Sequence, residues 1–444
     1  MTRRNPLWRL LALLFALSLV AAACGDDDDD PSDEAATDET EEPADEEEEP
    51  AEEDTEASDC PPETEGDGQL KLGTLLPETG NLAFLGPPEF AGVDLAVQEI
   101  NEAGGVLDQD VTSSRGDSGD TSTDIANQTA DRLLGESVDA IIGAASSGVT
   151  FTVIDKITGA CTIQFSPANT APDLSEYDDN GLYWRTAPSD VLQGRVLGEV
   201  VINDGHTTVG ILALQDPYGE GLAENATTSI TDSGGEVVQT VIYDPQAQTF
   251  DAEVQQIVAA DPEAIILIGF DESARVITAL AEAGMGPQEK PLYLVDGNTG
   301  NALGEQLPAG LLEGVKGTIP GSASAQEFKD RLLAIDPALT DYSYAGESYD
   351  AVMLTALAAI AAGNDSGPAI ASQLQAVSTE GEKCTTFADC LALLEAGEDI
   401  DYDGISGPVE FDENGDPTEA SIGVYTFQAD NTLSSEVEYV FGQV

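Results

Sequence analysis

Residues Val138–Pro172 read VDAIIG-AASSGVT-FTVIDKITGA-CTIQFS-PANTAP, and the punctuation of that stretch decides the fold. An apolar run from Val138 to Gly143 stops at small hydroxyl residues. A segment of helical character follows. A second apolar run, Cys161–Ser166, then stops at Pro-Ala-Asn-Thr. This is a strand–helix–strand unit with a polar cluster at the end of each strand. In open α/β sheets, ligands sit outside the carboxyl ends of parallel strands. Ser146, Ser147 and Thr170 are therefore expected around one mouth.

The same alternation extends outward in both directions. Upstream, Leu70–Leu76 reads as a strand, followed by a loop to Gly86. Pro87 and Pro88 open a helix whose Phe90, Val93, Val97 and Ile100 recur at helical spacing, and Gly104-Gly105 ends it. A helix over Asp124–Leu134 leads into Val138. Downstream come a short strand at Tyr183 and a polar joint at Ser189-Asp190. Strands are predicted at Val209–Leu214, Val237–Ile242, Ala264–Gly269 and Leu292–Val295, with helices between them. A small-residue helix, Tyr349–Ala362, and two strand segments, Gly407–Asp412 and Ile422–Phe427, complete the pattern. Regular β-α alternation implies parallel sheets covered by helices. It runs too long for one small sheet, and Ser189-Asp190 reads as the joint between two.

Composition narrows the function. The chain of 444 residues carries a formal net charge of −70. Between Gly25 and Gly68 there are 24 acidic residues and no Lys or Arg. The remainder still holds 61 acids against 12 bases once Arg3, Arg4 and Arg9 are set aside. A surface this acidic argues against nucleic acid or an anionic membrane face as partner. It suits a high-salt medium, where self-repulsion is screened. A single histidine, His206, leaves little room for His-based catalysis or zinc. The GxSxG, P-loop and GxGxxG patterns are all missing from the sequence. No cofactor, metal site or enzymatic activity is therefore expected, although acid–base work by a carboxylate pair stays open.

The first residues form an export signal. A basic start precedes a 14-residue apolar run, Leu10–Ala23, too short for a comfortable membrane span. Its end, Leu-Val-Ala-Ala-Ala-Cys24, resembles a bacterial lipobox, with Ala21 where the pattern prefers Leu. That resemblance implies cleavage before Cys24 and lipid on its thiol. Residues 24–68, poor in apolar groups, are expected to be a disordered acidic tether.

Several motifs, in order, resemble the branched-chain amino-acid-binding proteins of ABC importers over about residues 70–430. They are Lys71–Gly80, Glu89–Gly105, Ser166–Pro172, Arg185–Asp190 with Gln193-Gly194, and Tyr218–Gly221. The resemblance implies a type I periplasmic-binding-protein fold of class α/β, two Rossmann-like lobes with parallel sheets joined by three crossovers. Residues 69–189 and 318–426 would form lobe 1, and 190–317 and 427–444 lobe 2. Hinges would lie near Ser189, Asp190, Thr318 and Gln428. The resemblance further implies that Ser147, with Ser146 beside it, binds a ligand carboxylate. Ala168 and Thr170 match the backbone carbonyl and hydroxyl that hold the amino and carboxylate groups. Tyr218 would close over the ligand from lobe 2. Phe270 stands where the family has a second tyrosine, and Asp296 where it has an ammonium-binding glutamate. The aromatic over the ligand side chain falls in Phe84-Leu85, with Leu85 the better match. The expected partners are a small zwitterionic ligand, an ABC permease, and the membrane through a lipid anchor. The protein would be a monomer on the outer face of the cytoplasmic membrane. Amides, urea-like solutes or a co-receptor role stand as alternatives.

Apart from Cys24, four cysteines allow three pairings. Cys384 and Cys390 lie six apart and would clamp a local loop. Cys60 and Cys161 would staple the end of the tether to lobe 1. No CxxC favours metal ligation instead.

Overall fold

The computed structural model describes residues 60–444. The signal segment, Cys24 and the acidic stretch before Cys60 lie outside the described residues.

The described chain forms two α/β lobes, each built on its own sheet. The first comprises β1 (Lys71–Leu75), α1 (Gly86–Glu102), β2 (Thr112–Ser114), α2 (Ile125–Gly135), β3 (Ala140–Gly143), α3 (Ser147–Thr150), α4 (Ile154–Thr158), β4 (Ile163–Ser166) and β5 (Tyr183–Arg185). Its strands are all parallel, in the order β2-β1-β3-β4-β5. The chain then enters α5 (Asp190–Asn203), β6 (Thr208–Leu214), α6 (Pro217–Asp232), β7 (Glu236–Tyr243), α7 (Asp251–Ala260), β8 (Ala264–Ile268), α8 (Ser273–Glu282), β9 (Leu292–Leu294), α9 (Asn301–Gln306) and β10 (Lys316–Pro320). It returns to the first lobe with α10 (Gln326–Ile335), α11 (Ala345–Ala362), α12 (Gly367–Leu374), β11 (Glu382–Cys384), α13 (Phe387–Ala396) and β12 (Ile400–Tyr402). Strands β13 (Glu419–Thr426) and β14 (Glu438–Gln443) complete the second sheet, ordered β14-β13-β10-β9-β8-β6-β7.

Burial follows from sequence on both sides. Strands β3, β4 and β8 are buried at every position, as expected of parallel strands covered on both faces. Helix α11 is almost wholly buried from Ala345 to Ala359. Its alanines let α1 approach closely: a Cβ on Gly92 would stand 2.3 Å from the Ala345 carbonyl oxygen.

Three expectations need correction. First, β13 was expected in lobe 1, but it pairs antiparallel with β10 in the second sheet, Thr318 opposite Val424. The third passage between lobes thus falls between Tyr402 and Glu419. Gln428 lies beyond it, in a turn where its N–H donates to the Thr432 carbonyl. Second, Gly407–Asp412 is not a strand; only Phe411 makes a bridge, to Pro417. A strand's own sequence does not say which sheet it joins. Third, the folded body begins at Cys60 rather than Gln69. The N–H groups of Gly66 and Gly68 donate to the side chains of Asn364 and Asp365, and Ser366 and Asn364 donate back to the Thr64 carbonyl. Gly66 is needed there, since a Cβ would sit on the Asp365 carboxylate.

Cys60–Cys161 and Cys384–Cys390 are disulfides, with Cα–Cα separations of 5.4 and 5.3 Å. The first fastens the entering chain to the loop before β4.

Candidate functional site

The site is made where strands of both sheets end. Past β3, Ser146 turns extended and caps α3, its Oγ accepting the Val149 N–H at 3.3 Å. Ser147 follows, and its Oγ accepts the N–H groups of Thr170 (3.4 Å) and Ala171 (3.3 Å). Its own proton is left to donate elsewhere.

Past β4, Ser166 organises the second loop. Its hydroxyl donates to the Ala144 carbonyl at 2.7 Å and accepts the N–H groups of Ala168 and Asn169. Asn169 donates to the carbonyls of Ala144 and Ala145, and the Tyr183 hydroxyl donates to Asn169. Beneath the loop, fully buried Arg185 donates to the Ala171 carbonyl at 2.9 Å. Its guanidinium forks onto Asp416, two bonds of 2.6 Å. Loop 166–171 is therefore fixed from both sides.

Thr170 reaches across the first crossover. Its hydroxyl donates to Asp190 Oδ2 at 2.9 Å, so toward the cavity it offers lone pairs. Burial, with Asp296 nearby, pushes the Asp190 carboxyl well above the usual carboxylate range.

The opposite wall comes from the second lobe. Asp216 caps α6 by accepting the Tyr218 N–H at 3.0 Å, which orients Tyr218. Phe270 follows β8 and stacks on Tyr218, centroids 5.4 Å apart and planes 7° from parallel. Asp296, past β9, is 7% exposed and accepts three hydrogen bonds. Gln193 Nε2 donates to Oδ1 at 2.6 Å, Tyr218 to Oδ1 at 2.7 Å, and Tyr344 to Oδ2 at 2.7 Å. Tyr344 belongs to the first lobe, at the start of α11, so this last bond spans the cleft. Burial and Asp296 push both phenols up, which keeps them protonated donors.

Ser146, Ser147, Ala168, Thr170, Tyr218, Phe270, Asp296 and Leu85 all line one small cavity. Leu82, Ala145, Gly297 and Tyr344 complete it. Sequence reasoning passed over Tyr344 and gave Gln193 no role. Gln193 stood in a quoted motif; Tyr344 follows no strand and has a left-handed φ of 59°. Among the described residues, no group of three or more His, Cys, Asp or Glu is placed to hold a metal ion. Chemically, the cavity offers hydroxyl and amide groups on one wall and a carboxylate on the other, with apolar surface between.

Several proteins of known kind are similar to this chain. A substrate-binding protein of a chemotactic signal transduction system, BasB of Halobacterium salinarum, is 28% identical over 77% of this chain and 83% of its own length. A Leu/Ile/Val-binding protein of Rhizobium johnstonii is 26% identical over 83% of this chain and 94% of its own. Among solved structures, the branched-chain amino acid binding protein LivJ of Streptococcus pneumoniae, in complex with isoleucine, superposes with a TM-score of 0.68 at 22% identity, covering 84% of this chain and all of that one. A solute-binding protein of Rhodopseudomonas palustris in complex with 4-hydroxybenzoate gives 0.69 at 17% identity, covering 85% and 98%. Residues 69–432 match the periplasmic binding protein family, a family of solute-binding proteins, and the chain belongs to it.

Proposed function

We propose that this protein is the extracytoplasmic receptor of an ABC importer and binds an apolar α-amino acid, of branched-chain size, between its lobes. The carrying observation is the pairing of Ser147 on one wall with Asp296 on the other around a single small cavity. Ser147 donates its proton to the ligand carboxylate. The ammonium faces acceptors: Thr170 Oγ1, the Ala168 carbonyl and Asp296. Leu82 and Leu85 flank the side chain. The lobes swing at the crossovers beside Ser189-Asp190 and along β10 and β13, and the closed form docks on a permease. The protein acts as a monomer, held to the membrane by lipid on Cys24, and uses no cofactor.

Isothermal titration with L-leucine, L-isoleucine, L-valine and 4-hydroxybenzoate tests the ligand class. Tight binding of one of the three amino acids is expected. Binding of 4-hydroxybenzoate alone would replace the amino-acid reading with an aromatic acid. A second reading is favoured by BasB: the loaded protein presents its ligand to a membrane sensor as well. A strain lacking the gene that kept its chemotactic response to the ligand but lost uptake would remove that reading.

A further inference from the structure

A second small space lies beside the first, and the two share Phe270 and Gly297 as a common wall. Phe84, Gly300, Ala302 and Leu303 give it an apolar interior. Its floor is firmly held: Asn298 donates to the Leu267 carbonyl and Ser273 Oγ, and accepts the Val295 N–H. A Gln306–Asp271 hydrogen bond of 2.6 Å ties two residues of its lining together.

The partition itself is thin. It consists of one ring, stacked on Tyr218 and in close contact with Gly297. A Cβ on Gly297 would come within 2.7 Å of Phe270 Cδ1, so only glycine lets the ring lie where it does. The backbone of Phe270 is pinned by its N–H, which donates to Glu272 Oε1 at 3.0 Å. Its ring has no polar atom, so packing alone keeps it between the cavities.

We infer that Phe270 sets the upper size of the ligand by walling off this annex, and that the annex takes the end of a large apolar side chain once the ring is gone. The inference rests on the amino-acid reading of the main cavity. Removing the ring joins the two spaces and adds the room that the ring itself filled. An aromatic amino acid then lays its side chain toward Phe84 and Leu303 while its charged groups keep Ser147 and Asp296.

The test is calorimetry on the full chain, wild type and Phe270→Ala, with L-leucine and L-phenylalanine as probes. Wild type should prefer leucine at least tenfold. The variant should improve its phenylalanine-to-leucine affinity ratio by at least tenfold, whatever happens to either affinity alone. An unchanged ratio overturns the inference. If wild type binds neither probe, the amino-acid reading falls, and the partition is judged by xenon-pressurised crystals of both proteins, because empty apolar cavities take up xenon. Xenon density running through both spaces only in Phe270→Ala supports the wall; a void refilled by neighbouring side chains refutes it.

Discussion

The two walls of the cavity are built by different means. The first-lobe wall is mostly backbone, shaped by a buried mesh: Ser166, Asn169 and Arg185 bind the carbonyls and amides of loops 144–147 and 166–171. The second-lobe wall is side chains converging on one carboxylate, Asp296. The first wall is thus shaped before anything arrives, while the second depends on an acid kept in place by phenol and amide donors. The lesson is that one jaw contributes form and the other charge.

The largest expected effect that separates the lobes is their response to pH. Burial raises Asp139 to about 7, Asp179 to about 6 and Glu347 to about 8, all in the first lobe. Glu89, wholly buried without a hydrogen-bond partner, is pushed well up by burial and then by Glu347. In the second lobe burial raises Asp216 to about 6, raises Glu272 and pushes Asp190 well up, so the second lobe holds fewer such groups than the first. A carboxyl raised on folding binds its proton more tightly in the native state than in the unfolded one. Its cost is absent below about pH 4, the unfolded value, and grows as pH climbs toward the folded value. Stability should therefore fall between pH 5 and 8. Hydrogen exchange should show first-lobe helices losing protection before second-lobe strands, and Glu347→Gln should flatten the first-lobe profile. Equal loss in both lobes would break the contrast.

Next in size is the clamp under the rigid wall. Asp416→Ala leaves Arg185 charged, buried and unpaired, so unfolding free energy should drop by about 3–5 kcal/mol in urea denaturation. A drop under 1 kcal/mol would mean that the wall does not need its clamp.

A smaller effect is expected at the charged wall. Asp296→Asn should weaken binding of the amino-acid ligand by about 1.5–3 kcal/mol, the worth of a hydrogen bond to a charged group, with little change in unfolding midpoint. Calorimetry checks the first half and denaturation the second.

The smallest belongs to Tyr344. Tyr344→Phe removes one of three donors to Asp296 and a bond between lobes, worth about 1 kcal/mol. Small-angle scattering of the ligand-free protein should then show a larger radius of gyration than wild type. Identical curves would mean that this bond does not help hold the cleft shut.

Much of this was legible because strands β3, β4, β8 and β9 end abruptly in polar or aromatic residues, and parallel strands deliver their ends to one side. Ser147 and Thr170 were readable for that reason; Phe270 and Asp296 stand at such ends too, and the family resemblance singled them out. Tyr344 was not, because it enters from a turn whose position depends on how α11 packs on α1. The lobe of β13 was equally hidden: its apolar residues would suit either sheet, and antiparallel pairing with β10 leaves no local mark. Gly66 and Gly68 lay in an acidic stretch whose composition suggested disorder, yet their amides found acceptors nearly 300 residues away.

The Cys60–Cys161 crosslink has a mechanical consequence. Any tug transmitted along the segment preceding Cys60 enters the molecule through a covalent bond to the first lobe, and the second lobe receives none of it directly. The half with the preformed cradle is thereby the stationary frame. On the proposed closure the half bearing the acid is the one that swings, so a mooring upstream would restrain position without restraining closure.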